Sequence, residues 1–98
     1  DAAPDIYVIH QGGDTLLPSM QYAAAARAAG FSVLQHSGSQ KLAAQMKKAD
    51  ASGAKVALIV GEGELAEGKA SLKDMQQGRG QVSVPAADLL KQLNEWIR

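Results

Sequence analysis

The spacing of apolar and polar positions along the chain predicts five strands. Residues 5–11 (DIYVIHQ) are β-branched and aromatic with few polar positions, which is typical of a strand buried on both faces. Residues 31–36 (FSVLQH) alternate, as expected for an edge strand with one polar face. Residues 55–60 (KVALIV) form the most apolar run and are expected to be the central strand. Residues 69–74 and 79–83 flank a glycine-containing turn, which predicts an antiparallel hairpin.

Apolar residues at helical spacing predict three helices between and after these strands. In the first helix, Asp14 is placed to cap the free amides of the first turn, and Gly30 is a natural stop. The second helix is expected to start at Ser39 and end at Gly53, and the third to begin at Pro85. The positions expected to face the sheet are Leu16, Met20, Ala23, Ala24 and Ala28 in the first helix, Leu42, Met46 and Ala49 in the second, and Leu89, Leu90, Leu93 and Ile97 in the third.

The order of the predicted elements is β-α-β-α-β-β-β-α. Strands joined through helices must lie parallel with right-handed crossovers, while the hairpin adds antiparallel strands. We therefore predict a three-layer α/β domain with a mixed five-stranded sheet and three helices. The 98 residues are enough for one core, which we assign to residues 5–98. Residues 1–4 (DAAP) are interpreted as the remnant of a linker in a longer protein.

Composition and charge limit the classes of function. The sequence has no cysteine, so it offers neither a disulfide nor a thiolate metal site, which fits a reducing compartment. No apolar stretch approaches the ~20 residues that span a bilayer, so no membrane partner is expected. The formal net charge is zero, which argues against strong nucleic-acid binding by this chain alone. The charges are nevertheless uneven, because a lysine-rich segment at 41–55 precedes an acidic segment at 62–67.

Two sets of polar residues at strand ends could carry chemistry. The turn Gln11-Gly12-Gly13-Asp14 lies where ligands bind in open α/β sheets. Its glycine spacing does not fit a dinucleotide site, however, and a tight turn with a helix cap is the simpler interpretation. His10 and His36 end two adjacent strands, but no third ligand accompanies them at a useful spacing. With no nucleophile elbow and no phosphate-binding loop, the sequence predicts neither a metal site nor a catalytic apparatus.

Residues 61–68 (GEGELAEG) form an acidic segment that is expected to be a loop, and the strand after it ends on Lys73-Asp74. Local chemistry favours solvated carboxylates and an exposed ion pair worth ~0–1 kcal/mol. The functional alternative is hydrogen bonding to splayed-out nucleotides, because RNA loops are recognised on their base edges by such groups. In that alternative, the carboxylates and the lysine gather at one end of the sheet.

The order of these pieces resembles a known family. The segments PDIYVI, HSGSQKLAAQMKKADASGAKVALIVGEGELAEG and LKDMQQG together resemble the C-terminal anticodon-binding domain of histidyl-tRNA synthetase, a class II aminoacyl-tRNA synthetase. That family has a glycine-rich turn, a lysine-rich helix, an apolar strand, a Gly-Glu-x-Glu-x-x-x-Gly segment, and a Val-Lys-Asp strand that runs into a turn. The corresponding residues here are 37–40, 41–48, 55–60, 61–68 and 72–78.

The resemblance implies that the chain binds the anticodon stem-loop of histidine tRNA. It also implies a parent enzyme, a histidine–tRNA ligase, expected to be a cytoplasmic homodimer. The catalytic domain of that parent, which is not part of this chain, would bind ATP and Mg²⁺ and perform the aminoacylation. No cofactor is expected in this domain.

The resemblance also suggests which residues contact tRNA. Glu64 and Lys73 match family positions that contact anticodon bases, with Glu62, Asp74 and Gln76 as neighbours. Two turns are expected on the same rim of the sheet, namely Gln11, Gly12, Gly13 and Asp14, and Gly38, Ser39, Gln40 and Lys41. Contacts with the phosphate backbone are expected from Lys41, Lys47, Lys48 and Arg79.

Two positions depart from the family pattern. Ala43-Ala44 stand where the family commonly has paired basic residues, and Gln76 stands where it usually has arginine. Fewer cations mean weaker contact with phosphates. The sequence therefore leaves open an alternative, a synthetase-like paralogue that acts as a regulatory or protein-interaction module without tRNA binding.

Overall fold

The computed structural model describes residues 2–38 and 41–98, which form five strands and four α-helices. Their bounds are β1 Ile6–Gln11, α1 Leu16–Ala28, β2 Val33–Gln35, α2 Leu42–Ala51, β3 Val56–Gly61, α3 Glu62–Ala66, β4 Lys69–Asp74, β5 Gln81–Pro85 and α4 Leu89–Ile97, with a 3₁₀ turn at Ala86–Asp88. The predicted α/β class and mixed five-stranded sheet are confirmed. The acidic segment, predicted as a loop, instead folds into the short helix α3. Among these helices none has the length and apolar character needed to cross a membrane.

The sheet has the strand order β2-β1-β3-β4-β5, with β3 at its centre as predicted. β1 runs parallel to β2 and β3, while β4 is antiparallel to β3 and to β5. The end of β4 therefore lies beside the start of β3, where Asp74 pairs with Val56. Gln11 pairs with Gly61 at the opposite end of these strands. The expectation that Lys73 and the acidic segment gather at one end of the sheet is wrong, because β4 carries Lys73 back to the other edge.

Two helices cover one face of the sheet, and one covers part of the other. α1 and α4 pack on the first face against side chains from β1, β3, β4 and β5. The buried members of that cluster are Ile6, Val8, Ala23, Ala26, Phe31, Val56, Leu58, Val60, Ala70, Leu72, Val84, Leu89 and Leu93. On the second face α2 packs against β1 and β3, and the buried members there are Tyr7, Ile9, Ala49, Ala54, Ala57 and Ile59.

Helix α1 buries Ala23 as predicted, but the rest of its buried stripe differs from the prediction. Ser19, Ala23 and Ala26 are its buried residues, whereas Leu16 and Met20 are 51% and 50% exposed. The predicted positions Ala24 and Ala28 are also exposed. The stripe of small side chains packs on the sheet, and the larger apolar side chains remain at the surface. The prediction followed side-chain size and was therefore wrong about the phase of this helix.

Several predicted boundaries also shift. Asp14 is exposed and does not cap α1; Thr15 takes the N-cap position, and its hydroxyl donates to the carbonyl of Gly12 at 2.7 Å. Ser39 lies outside the described residues, and α2 begins after Lys41. The last strand extends to Pro85, which was predicted to begin the final helix. That helix buries Leu89 and Leu93 as predicted, but Leu90 is 37% exposed.

Candidate nucleic-acid interface

Part of the sheet face that carries α2 has no apolar cover. On β4 and β5 this face carries five polar side chains, those of Lys69, Ser71, Lys73, Gln81 and Ser83; we call the last four the open strip. Cross-strand pairing sets Ser71 opposite Ser83 and Lys73 opposite Gln81. Among the described residues, no side chain from β4 or β5 belongs to the buried cluster under α2. The strip is therefore polar, with Lys73, Gln81 and Ser83 at the surface and Ser71 buried between them and α3.

Glu64 reaches from α3 onto the open strip. Its Oε2 accepts a hydrogen bond from the Ser71 hydroxyl and a second one, at 3.2 Å, from the Ser83 hydroxyl. Because the two serines face each other in the hairpin, one carboxylate oxygen can accept from both. The carboxylate is thus held against the strip, and the side chain is half-buried rather than freely solvated.

Glu62 points away from the open strip. Residues two apart on a helix lie about 200° apart around its axis, so Glu62 and Glu64 cannot share a face. The Glu62 side chain instead lies over the turn after β1, where a Cβ on Gly12 would collide with its carboxylate and one on Gly13 would come within 3.0 Å of it. Gly12 also has a φ of +94°, which favours glycine. The acidic residues of α3 therefore do not form one cluster.

Two lysines flank a groove beside the open strip. The groove lies between α2 and the end of β4, has a volume of about 500 Å³ and is lined by Ala43, Met46, Lys47, Asp50, Lys73, Asp74 and Met75. Both lysine side chains are exposed. Within residues 2–38 and 41–98, neither ammonium group lies within 4 Å of a carboxylate. These two cations are therefore available to a ligand in the groove.

Lys73 lies on the same face of β4 as Ser71, the partner of the Glu64 carboxylate. Ser71 and Lys73 are two residues apart on one face of β4, a separation of about 7 Å along the strand. The strip thus presents a donor, Lys73, on β4 and an acceptor, the Glu64 carboxylate, which reaches it from α3. The hydrogen bonds of Glu64 to Ser71 and Ser83 set the position of this acceptor relative to the hairpin.

The Asp74 carboxylate forms hydrogen bonds within the turn after β4. Its side chain is 1% exposed, and its Oδ1 accepts from the backbone N–H groups of Gln76 (3.0 Å) and Gln77 (2.9 Å). Its Oδ2 accepts from the backbone and side chain of Arg79. Burial alone raises the pKa of the Asp74 carboxyl, but these hydrogen bonds outweigh burial and hold the pKa well below its usual range. Asp74 therefore shapes the turn and presents no free oxygen to a base.

Arg79 and Gln76 are also occupied within the fold. Arg79 stacks on the Trp96 ring at 4.9 Å and donates to the Trp96 carbonyl at 2.9 Å. The Gln76 amide nitrogen donates to the Gly53 carbonyl at 3.0 Å. These contacts tie the turn to α4 and to the end of α2. Although Arg79 lies at the surface, its guanidinium is less free to bind phosphate than the sequence suggested.

The remaining predicted positions lie away from the strip. Residues 11–14 and Gly38 are exposed at the edge where β1 and β2 end. Lys41 precedes α2 near that edge, and Ser39 and Gln40 fall outside the described residues. Lys48 is exposed on α2 and lies close enough to His36 to influence its pKa. From the acidic segment, Gly61 pairs with Gln11, and the Glu62 side chain lies over Gly12 and Gly13.

The two histidines bond different partners, with His36 buried and His10 half-buried. His10 Nδ1 lies 3.3 Å from the Thr15 hydroxyl, and His36 Nδ1 lies 2.9 Å from the Tyr7 hydroxyl. Burial, followed by the charges of Lys48 and His10, lowers the pKa of His36. No group of three or more potential metal ligands occurs in the described part of the chain.

Sequence reasoning did not single out Ser71 and Ser83, which carry the contacts of Glu64. The available signal was their alternation with apolar residues, since Ser71 precedes Leu72 and Ser83 precedes Val84 in two strands of one hairpin. It also missed Gln45, which is buried on α2 and binds both the N–H (3.2 Å) and the carbonyl (2.8 Å) of His10. Pairing of those backbone groups depends on the three-dimensional position of α2.

Comparison with known proteins gives consistent matches. A family model described as an anticodon binding domain matches residues 5–96. The histidine–tRNA ligase of Neisseria gonorrhoeae is 56% identical over 96 residues, which are 98% of this chain and 22% of that protein. The corresponding ligase of Laribacter hongkongensis is 42% identical over 91 residues, 93% of this chain and 22% of that protein. The chain thus spans 22% of the length of these two curated relatives.

Solved structures have the same architecture. The histidyl-tRNA synthetase of Nostoc sp. PCC 7120 superposes with a TM-score of 0.85 and 29% identity, covering 96% of this chain and 21% of that chain. The RNA binding domain of threonyl-tRNA synthetase from Cryptosporidium parvum Iowa II gives a TM-score of 0.86 at 14% identity, covering 95% of this chain and 23% of that chain. At 14% identity the second likeness concerns the fold alone.

Proposed function

We propose that this chain, which belongs to the anticodon-binding domain family, recognises the anticodon stem-loop of histidine tRNA within a longer histidine–tRNA ligase. The identity of 56% to a histidine–tRNA ligase over 96 residues supports the choice of amino acid. In that ligase, the domain positions the tRNA, and a separate catalytic domain performs the ATP- and Mg²⁺-dependent aminoacylation. The family resemblance further leads us to propose a cytoplasmic homodimer for the parent.

The observation that carries the proposal for the contact surface is the open strip. It offers the Glu64 carboxylate, which only accepts hydrogen bonds, and the Lys73 ammonium, which only donates them. Unstacked bases of an RNA loop expose edges that combine donors and acceptors. A base lying along the strip can therefore satisfy both groups, while Lys47 across the groove is available to a phosphate.

The charge of the chain suits recognition that depends on base edges more than on phosphates. The formal net charge is zero, so the general electrostatic attraction to RNA is small. Arg79, one of the expected phosphate contacts, is engaged with Asp74 and Trp96. Of the lysines expected to contact phosphate, Lys47 borders the groove. We therefore expect most of the affinity for tRNA to come from the longer protein, and the discrimination to come from the strip.

An aminoacylation assay with the full-length ligase that carries this chain tests the proposal. Histidine tRNA and a version with a swapped anticodon serve as substrates. Lys73→Ala and Glu64→Ala are expected to lower kcat/KM for histidine tRNA, by about tenfold each if each side chain makes one charge-assisted hydrogen bond. Lys91→Ala is the matched control, because Lys91 is exposed on α4, which packs on the opposite sheet face. Equal activity of the wild type on both tRNAs contradicts the proposal.

A second candidate is a protein-interaction or regulatory module without tRNA binding. It is favoured by an exposed apolar group on α1, where Leu16, Leu17 and Met20 are 51%, 64% and 50% exposed. Ala43 also favours this candidate, because it lines the groove at a position where the family commonly has a basic residue. This candidate predicts that Lys73→Ala leaves the aminoacylation activity of the parent unchanged.

A further inference from the structure

We propose that Ser71 and Ser83 are positioning residues that hold the Glu64 carboxylate in one orientation and thereby make the open strip selective for a base with an N–H group. This inference rests on the proposed function, because it concerns how the same surface chooses among bases. Neither serine belongs to the motif that suggested an anticodon-binding domain. Their role follows from the contacts of the hairpin with α3.

The geometry of the two serines fixes the direction of every hydrogen bond in the group. An ionised carboxylate only accepts, so both hydroxyl groups must donate to Glu64 Oε2. In the portion of the chain that the structure describes, Oε1 receives no hydrogen bond. The pair of serines therefore occupies one oxygen, while Oε1 lies beside Gly61, is not among the buried unpaired atoms and keeps its lone pairs available. Cross-strand register sets the separation of the two hydroxyls.

Among the described residues, Ser71 and Ser83 are the hydrogen-bond partners of the Glu64 side chain, so they restrain it most directly. Its helix α3 has five residues, and a helix of this length has little stability of its own. A glutamate side chain also has several rotatable bonds, whose freedom is lost when it binds a partner. Holding the carboxylate before binding removes most of that entropic cost. The same restraint prevents the side chain from turning to suit a different base.

A fixed acceptor discriminates by chemistry. An exocyclic amino or ring N–H group can donate to Oε1, whereas a carbonyl or an unprotonated ring nitrogen at that place would repel it. A recognition site built for one hydrogen-bonding group rejects an analogue that lacks it, since the buried or fixed polar group is left unpaired. A mobile carboxylate would lose much of this discrimination, because it could rotate back to solvent.

The test uses the full-length ligase and a set of tRNA transcripts. In these transcripts each anticodon base that has an exocyclic amino group is replaced, one at a time, by an analogue without it. For the wild type, one replacement is expected to lower kcat/KM by about tenfold. The double variant Ser71→Ala/Ser83→Ala is expected to reduce that penalty to about threefold or less. On a Glu64→Ala background, the same double change should have no further effect.

Two controls separate positioning from a general structural role. Ser83→Thr, with Ser71 unchanged, keeps a hydroxyl at an exposed position and should retain the wild-type penalty. Lys91→Ala, on α4 at the opposite sheet face, should change nothing. If the double serine variant keeps the full tenfold penalty while Glu64→Ala loses it, the inference is wrong and the proposed function stands. If the wild type shows no preference for the histidine anticodon, both are wrong.

Discussion

The face of the sheet that carries α2 has two halves of opposite character. Under α2, the side chains of Tyr7, Ile9, Ala57 and Ile59 are buried in an apolar cluster. Beside it, the same face of β4 and β5 presents the polar side chains of the open strip. The other face of β4 and β5 is apolar, with Leu72 and Val84 buried. The polar surface therefore marks the place where a covering layer ends, and it is the place we assign to RNA recognition.

Helix dimensions explain why one half remains uncovered. An α-helix with its side chains is about 10 Å wide, and neighbouring strands are about 4.8 Å apart, so one helix covers about two strands. The first face has α1 and α4, whereas among the described elements the second face has α2 alone. The alternation of Ser71 with Leu72 and of Ser83 with Val84 suits strands covered on one face only. The alternation of polar and apolar residues in β4 and β5 therefore accounts for the difference between the two halves.

The largest expected effect comes from breaking the covered half. Ile9 is fully buried between β1 and α2, so Ile9→Ala should lower the free energy of unfolding by about 3 kcal/mol, through reduced burial and the cavity it leaves. Lys73→Ala, the matched change in the open half, should alter stability by no more than about 0.5 kcal/mol. Urea unfolding followed by circular dichroism measures both. Similar losses for the two variants would show that the halves do not differ in their contribution to folding.

The next effect lies at the junction of the two halves, where Asp74 closes the turn after β4. Asp74→Asn replaces a carboxylate oxygen by an amide N–H that faces the N–H groups of Arg79. Because Arg79 is one-third exposed, solvent screens its contact with Asp74. We therefore expect Asp74→Asn to lower the free energy of unfolding by about 2 kcal/mol. Asp50→Asn, an exposed carboxylate on the same groove, is the control and should change stability little.

The same residue predicts how stability depends on pH. The pKa of Asp74 in the folded chain is lower than its value of about 4 in the unfolded chain, so the unfolded state binds the proton more readily. The contribution of Asp74 to stability is therefore complete above about pH 4 and is lost as the pH falls below that value. Unfolding titrations between about pH 7 and 2 should show a smaller acid-induced loss for Asp74→Asn than for the wild type. Parallel pH profiles would contradict this assignment.

Sequence patterns predicted most of the covered structure. The strands 5–11 and 55–60 were identified because buried central strands are continuous apolar runs, and glycine punctuation located the ends of α1 and α2. The phase of α1 was not predictable from apolar residues, since the packed stripe consists of Ser19, Ala23 and Ala26. Small side chains carry little hydrophobic signal, yet they allow close approach to a sheet.

The candidate site was only partly predictable. The family resemblance selected Glu64, which contacts the open strip, and Lys73, which is part of it and lines the groove beside it. The sequence could not show that β4 reverses direction across the sheet, which separates Lys73 from Gln11 and Asp14. Nor could the sequence show that backbone N–H groups of the turn after β4 occupy the carboxylate of Asp74 but not that of Glu64. That difference depends on where backbone amides point after folding.

A smaller effect, on binding alone, should come from the two lysines of the groove. Lys47→Ala/Lys73→Ala should weaken binding of tRNA to the full-length ligase and reduce the dependence of log K on log salt by about 0.7 for each phosphate that the variant no longer neutralises. Unfolding should be unchanged, because both side chains are exposed. Lys91→Ala, on α4 at the opposite sheet face, is the control. An unchanged salt dependence in the double variant would mean that the lysines do not contact phosphate.

The smallest expected effect is a gain. Ala43 lines the groove at a position where the family resemblance leads one to expect a basic residue. Ala43→Lys should leave α2 intact, because alanine and lysine differ little in helix propensity, and should add one cation beside Lys47. We expect tRNA affinity to rise by a few-fold at low salt, with the salt dependence increasing by about 0.7. Ala24→Lys is the control, because it adds the same charge on α1, which packs on the opposite sheet face. Comparing the two variants separates the effect of a lysine in the groove from the effect of net charge. Equal gains from both variants would mean that the open half attracts RNA no more than the rest of the surface.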